Sequence, residues 1–549
     1  MSYAITQTCC GDASCVSVCP VNCIHPAPGE PDFGTTETLY IDPRTCIDCG
    51  ACTDACPVDA IVPVDLLGPA DAVHAEFAER YYAARSRERG EEQGWSEPDF
   101  PLPPPAGSGD LRIAVVGTGP AAHYTAQALL RRTGAEVTML DRLPVPGGLV
   151  RFGVAPDHPS TKGIGDSFAE LHRHPRLRMH LNVDIGRDVT HAELAAHHDA
   201  VVYAVGADSP RPLGIPGEGM PGTASAMTFV AWYNGHPEVS SAGVDLASAE
   251  RAVVIGNGNV AVDLARVLVS DPALLARTDI ADRALPALRD STVREVVLLG
   301  RRGPADAAYT RPELHALKHL PGVRLVIDDR PGVREAIAAD AETAALLGDV
   351  PVERVDWAAP PPPGRRIVLR FRTSPVELTG NGRVEALRVS GPAGGPSPET
   401  IRTELVLSAI GHRGTPVAGL PFDDVTGTVP HERGRVVDPA TGEPVAGVYV
   451  VGWTKRGPSG GIGANRRCAQ ETVDALLADA VDRRLPQPTG SRREFARLVR
   501  RRRPDSVGRR GAEAIDRAER ENGRRTGRPR VKLATTAELL ATARRFAGS

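Results

Sequence analysis

The chain has 549 residues, 41% hydrophobic and 24% charged, with a formal net charge of −4. Such a length makes roughly three to four domains, and the near-balanced charge gives no reason to expect a nucleic acid as partner. The opening residues lack a secretory pattern and no run of ~18 apolar residues occurs, so the expectation is a cytoplasmic protein with no membrane span.

Nine of the 10 cysteines lie between Cys9 and Cys56. In a large chain such crowding reads as metal or cluster ligation rather than a disulfide scaffold. Cys46-x2-Cys49-x2-Cys52-x3-Cys56-Pro57 has complete iron–sulfur spacing. Sliding back 37 positions gives Cys9-x2-Asp12-x2-Cys15-x3-Cys19-Pro20, with Val21 and Ile24 in register with Val58 and Ile61. Asp12 thus stands at one ligand position of an internal repeat. Over residues 1–62 eight acids face a single base, Arg44, a balance that suits docking on a basic surface. Residues 65–109 carry no cluster ligands and read as a linker; 70–89 has a mixed pattern compatible with a helix. Pro98, Pro101, Pro103, Pro104 and Pro105 then predict a semi-rigid spacer.

Residues 111–116 read as a buried parallel strand, and Gly117-Thr118-Gly119-Pro120-Ala121-Ala122 is a G-x-G-x-x-A turn opening a helix. The first glycine permits the tight turn, the second lets backbone approach a pyrophosphate, and the small third residue lets helix and strand pack closely. A strand over 135–140 ends at Asp141, at the spacing of a ribose-binding carboxylate. The pattern recurs at Gly256-Asn257-Gly258-Asn259-Val260-Ala261, but its later strand, 295–299, ends in Gly300-Arg301-Arg302. An acid there would repel a 2′-phosphate and guanidiniums would grip it, so this site reads as NADP rather than NAD. The stretch 270–291 reads as an inserted surface helix or loop, and the arginines of 500–503 as a basic surface for a ferredoxin. Cys468 alone lies beyond the head, which disfavours a disulfide reductase.

Residues 1–64 resemble the two-cluster bacterial ferredoxins, in which the fourth Cys of each run serves the other cluster. The resemblance implies that Cys46, Cys49, Cys52 and Cys19 hold a 4Fe–4S cluster and that Cys9, Cys15 and Cys56 hold a second. Carboxylate is a harder ligand than thiolate, so three arrangements stay open at Asp12: a missing iron giving 3Fe–4S, which is favoured, ligation by Asp12, or ligation by Cys10. From Asp110 onward, the runs 145–159, 253–266, 300–304 and 452–463 resemble adrenodoxin-reductase-like ferredoxin–NADP reductases. With the head, the likeness is to the ferredoxin-fused, actinobacterial type.

That resemblance implies an α/β fold: two Rossmann-like domains, the FAD domain (110–207 and 411–549) interrupted by the NADP domain (208–410), preceded by a small α+β two-cluster head. It implies FAD at Gly117, Gly119, Ala121, Asp141, Leu149 and Val183, with Trp453, Gly460, Gly461 and Ile462 along the isoalloxazine. It implies NADP at Gly256, Asn257, Gly258, Asn259, Val260, Arg301, Arg302, Glu313 and Gly460. His158, Glu313 and Trp453 are the implied catalytic residues; the family's further acid, three places after Glu313, is Ala316 here. The implied activity moves hydride from NADPH to FAD, then single electrons to the clusters and on to an external ferredoxin or a cytochrome P450. The other readings are an electron-input subunit like the glutamate synthase small subunit, and a non-catalytic electron carrier.

Overall fold

The computed structural model describes residues 2–30, 32–89, 111–390 and 398–547; the proline-rich spacer lies outside the described residues. In the head, Tyr3–Ile5 pairs antiparallel with Ile61–Pro63, and Ile24–His25 with Tyr40–Ile41. Helix Val73–Arg89 belongs to this head. Phe77, Ala78 and Tyr82 bury against Tyr40, and the Tyr82 hydroxyl lies 2.9 Å from both Cys23 O and Tyr40 O. Part of the stretch that reads as linker is therefore head core. Its apolar stripe is narrow, which is why charged and apolar residues look mixed along it.

Two seven-stranded sheets form the body. The first runs His431–Glu432, Arg435–Val437, Pro444–Val450, Ala200–Tyr203, Arg112–Val116, Glu136–Asp141, Leu177–Leu181, with the last five strands parallel. The second, all parallel, runs Thr223–Ser225, Leu405–Ser408, Arg251–Ile255, Glu295–Leu299, Arg365–Arg370, Val323–Asp328, Val352–Glu353. Their central strands are buried along their whole length, as sheets covered by helices on both faces require. The chain passes between the sheets at Ser209–Pro210 and His412–Arg413, which pair antiparallel.

Two expectations change. Within 270–291, Asp279, Ile280 and Ala281 are buried. Lys162 and Lys532 both reach the Asp279 carboxylate, at 2.6 and 2.9 Å. The insertion is a packed junction rather than a surface loop, because buried charges persist only where they pair. The C-terminal segment crosses this junction: Arg528 donates to Thr278 O at 2.9 Å and pairs with Asp282, and Arg283 donates to Ala534 O at 3.2 Å. Of the arginines near 500, Arg502 and Arg503 are tied to the flavin-side sheet, while Arg500 and Arg501 stay exposed. Helix Arg492–Arg502 buries Phe495, Leu498 and Val499, Arg502 pairs with Glu193, and Arg503 donates to Asn182 O.

Candidate functional site

The first turn is built by close approach. Gly117 has φ 111°, and a Cβ there would lie 2.4 Å from Ala204 O. At Gly119 a Cβ would meet open space. Helix Pro120–Arg132 starts with no side-chain cap, leaving its first N–H groups free for an anion. Three separate runs converge here. A Cβ on Gly148 would fall 2.9 Å from Gly119 Cα, which lays the 146–148 loop, and Leu149 after it, over the turn. A Cβ on Gly452 would fall 2.6 Å from Ala121 Cβ, which brings in the Trp453 segment. Asp141 accepts from Thr118 N and Leu143 N, each at 2.9 Å, and from the Thr118 hydroxyl at 2.5 Å. A carboxylate has about four acceptor positions, so one remains for a ribose hydroxyl. Burial pushes the Asp141 carboxyl above its usual range despite these bonds. Val183 donates to Asp141 O at 2.8 Å.

The second turn repeats the geometry. Gly256 has φ 126°, and a Cβ would lie 2.5 Å from Ala409 O. Asn257 and Asn259 are turned onto the facing loop: Asn257 accepts from Ala308 N at 3.4 Å and Asn259 from Thr310 N at 2.8 Å. Gly258 leads uncapped into helix Asn259–Val269, on which Val260 is exposed. Arg301 and Arg302 are exposed at the strand end, just past Gly300.

His158 and Glu313 come together, and with them Asp263, their ligand atoms all within 4.8 Å of one another. Arg266 binds the group: 2.6 Å to Asp157, 2.6 Å to Asp263 and 3.5 Å to Glu313. Burial and the Asp263 charge raise the Glu313 carboxyl above its usual range. Burial would raise Asp157 as well, but Arg266 outweighs it and holds that carboxyl low. Glu313 Oε2 and Arg266 Nη1 are buried and face each other at 3.5 Å, with no closer hydrogen-bond partner. Sequence reasoning missed Asp263 and Arg266. Their signal was the i,i+3 spacing on the helix after the second turn, which puts both on one face. Trp453 packs elsewhere: its ring lies 6.1 Å from that of His412, at 24°, and Nε1 donates to Ser459 O at 3.2 Å.

The cysteines line two pockets. One gathers Cys19, Cys46, Cys49 and Cys52, with Cys23 beside them. The other gathers Cys9, Cys15 and Cys56, with Cys10 and Asp12. Backbone N–H groups point at the sulfurs, Gly11 at Cys9 (3.4 Å), Cys23 at Cys19 (3.4 Å) and Ala60 at Cys56 (3.3 Å). Such bonds fit thiolates that carry a cluster. Asp12 is engaged by Ser14 N at 3.3 Å, by the Ser14 hydroxyl, and by Arg466 at 3.8 Å.

The head sits on the flavin-side segment. Gly463 donates to Cys10 O at 2.7 Å, and a Cβ at Gly463 would fall 1.8 Å from Gly11 O. Arg466 donates to Asp12 O at 2.6 Å and Arg467 to Phe33 O at 3.2 Å. Arg311 grips Glu37 through N and Nε, at 3.1 and 2.9 Å.

Comparison with known proteins agrees with this layout. Residues 111–297 match the pyridine nucleotide-disulphide oxidoreductase model, and 8–60 and 38–95 match two 4Fe-4S dicluster domain models. A probable ferredoxin/ferredoxin–NADP reductase of Mycobacterium tuberculosis is 48% identical, over 99% of this chain and 95% of its own. The mitochondrial NADPH:adrenodoxin oxidoreductase of Arabidopsis thaliana is 37% identical, over 80% of this chain and 96% of its own. The structure of Mycobacterium tuberculosis FprA in complex with NADPH superposes with a TM-score of 0.71 at 42% identity, covering 79% of this chain and 99% of that one. Two dinucleotide turns, a paired-arginine strand end and a two-pocket cysteine head meet in one molecule, and the chain belongs to the adrenodoxin-reductase-like ferredoxin–NADP reductases that carry a fused dicluster ferredoxin, a family of oxidoreductases.

Proposed function

We propose that this protein is an NADPH:ferredoxin oxidoreductase whose first electron carrier is its own head. The domains are 1–64 with the helix that follows, 110–207 with 411–549 for FAD, and 208–410 for NADP. Gly117, Gly119, Ala121, Asp141, Leu149 and Val183 hold the FAD adenosine and diphosphate, and Trp453 with 460–462 lines its ring. Asn257–Val260 as a turn and Arg301 with Arg302 hold NADPH. Flavin, when bound, supplies the exchange between a two-electron hydride and single electrons. The protein's part is placement. His158 and Glu313 border the nicotinamide, and Arg266 fixes Asp157, Asp263 and Glu313 as one unit. A glutamate with a raised pKa keeps its proton to higher pH, so Glu313 can donate to the carboxamide.

The observation that carries this reading is the junction of Gly463 with Cys10 and Gly11, which seats a cysteine pocket on the segment lining the flavin ring. The outgoing acceptor is a ferredoxin or another one-electron protein such as a cytochrome P450, and the setting is the cytoplasm. No helix among the described residues is long and apolar enough to cross a membrane. In the second pocket the reading is 3Fe–4S on Cys9, Cys15 and Cys56, since Ser14 and Arg466 already engage Asp12. Anaerobic NADPH titration of the holoprotein, recording flavin absorbance and EPR, tests both parts. Flavin bleaching followed by reduced-cluster signals is expected, with a 3Fe–4S signal in the oxidised protein. Clusters that stay oxidised after bleaching would refute the route. Eight irons per chain, reduced in number by Cys10→Ala, would make Cys10 the fourth ligand.

A further inference from the structure

Between helix Arg509–Thr526 and the loop 145–147 lies a cavity of about 570 Å³. That is the size of a small-molecule site, about 300–1,000 Å³. Lys162, Asp279 and Lys532, all largely buried, form its inner end. Val145, Pro146, Phe168, Ala512 and Ile515 supply apolar surface. None of the residues assigned to FAD or NADP lines it.

Nine cationic and four acidic side chains line the cavity, and the acids are already divided. Asp279 serves Lys162 and Lys532, Asp516 serves Arg520 and Arg530, and Glu513 serves Arg509 and Arg173. Asp166 pairs with Arg520, which Asp516 already holds. Glu519, fully buried and outside the lining, is shared by Arg151 and Arg530. Arg151 Nε is buried with no hydrogen-bond partner. Arg517 and Arg524 are exposed, one face of the helix carries both with Arg520 between them, and neither pairs with a carboxylate among the described residues. Burial pushes the Lys162 and Lys532 ammoniums below their usual range, and at Lys532 the Lys162 charge adds to it. The cavity is thus short of negative charge from its inner end to its mouth.

We propose that this cavity is a binding site for a phosphorylated organic molecule, separate from both dinucleotide seats. A cleft lined by one sign of charge concentrates the other. A phosphate ester is a dianion above its second pKa of about 6, so it answers an excess of several charges better than a carboxylate does. Guanidiniums take its oxygens in pairs, and Arg517 and Arg524 at the mouth have no other partner to give up. The apolar surface of Phe168 and Ile515 receives the organic part.

The test uses the full-length holoprotein, with saturating NADP+ to fill the seat at the second turn. The probe is 1-naphthyl phosphate, followed by equilibrium dialysis, with inorganic phosphate as competitor. One naphthyl phosphate should bind per chain, more tightly than inorganic phosphate by about tenfold, and more weakly as salt rises. Arg517→Ala with Arg524→Ala should weaken binding by about tenfold or more. Iron and flavin content should stay unchanged, since neither arginine packs in a core or pairs with an acid. Arg501→Ala with Arg525→Ala removes two exposed arginines that do not line the cavity, and should leave the affinity as it was. Absence of saturable binding would overturn the proposal. Unaltered affinity in the first double variant, or an equal loss in both, would overturn it too, the latter by showing attraction to surface charge at large. Inorganic phosphate that binds as tightly as the ester would overturn the assignment to an organic ligand.

Discussion

In the first nucleotide fold Gly117 donates to Leu140 O at 2.6 Å and Ala204 to Val116 O at 2.8 Å; in the second, Gly256 donates to Leu299 O at 2.9 Å and Ala409 to Ile255 O at 2.8 Å. The two turns are the same object down to the carbonyl that each glycine faces. What differs is the end of the neighbouring strand. In one it is a half-buried carboxylate tied to Thr118; in the other it is two exposed guanidiniums after Gly300. A diphosphate is recognised by backbone, which both halves share, and the ribose end by side chains, which they do not. The surroundings differ too: the first half carries the seat of the head at Gly463, and the second touches the head through Arg311 and through His315, which lies 2.7 Å from Ala70 O.

The strongest way to break this comparison is to damage each turn alike. Gly117→Ala and Gly256→Ala each drive a Cβ into a carbonyl at a positive φ, a local cost of about 3–5 kcal/mol. Gly117→Ala should purify without flavin, read from its absorbance. Gly256→Ala should keep its flavin and lose bleaching by NADPH. If either variant lost both ligands, the halves would not divide the work.

Next in size is the paired-arginine strand end. Charge-assisted bonds to the 2′-phosphate are worth about 1.5–3 kcal/mol each, so Arg301→Ala with Arg302→Ala should lower the preference for NADPH over NADH by about two to four powers of ten. The ratio of kcat/KM for the two cofactors measures it. An unchanged ratio would move recognition of the 2′-phosphate elsewhere.

Asp141→Asn sharpens the first half with a smaller effect. The amide cannot accept from both Thr118 and Leu143, so one buried N–H loses its partner, at about 1–3 kcal/mol. Flavin should still bind, released at lower denaturant than in the parent, as fluorescence of the freed flavin would report. Full loss of flavin would mean that the carboxylate charge itself is required.

The smallest effect belongs to the cluster between the halves. Burial and the neighbouring Asp263 charge raise the folded Glu313 carboxyl above its usual range. The parent therefore loses stability as pH rises through that raised pKa, and Glu313→Gln does not. The Tm of the variant minus that of the parent should climb as pH rises above the ordinary carboxyl range and level off once Glu313 has ionised. A flat difference would show that Arg266 neutralises the carboxylate completely.

Local chemistry was legible in the sequence because it is written in adjacent residues: the cysteine spacing, both glycine turns, and the acid and the arginines that end their strands. Contacts between distant segments were not. Nothing around Gly463 signals that Gly11 will press on it, since glycine in a flavin segment already has a local explanation. A charge run such as 500–503 is visible in a sequence, and three scattered arginines that hold the head, Arg311, Arg466 and Arg467, are not. Asp263 joins His158 and Glu313 from another helix, a grouping that appears only when the helices are packed. The head helix at 73–89 was half legible: its helicity showed, but its burial under Tyr40 depends on strands many residues earlier.

The two crossings between the sheets are held together by the short pairing of Ser209–Pro210 with His412–Arg413, and a two-strand connection alone leaves one angle free. Lys532 and Arg528 close that freedom from the far side by fastening the C-terminal segment to Asp279 and Asp282. The body thus works as a three-point mount rather than a clamshell. The angle between the two nucleotide folds is then tied to tail residues that lie outside both glycine turns. Replacing Lys532 and Arg528 would act on that angle, as loosening one leg of a tripod does, while leaving both glycine turns intact.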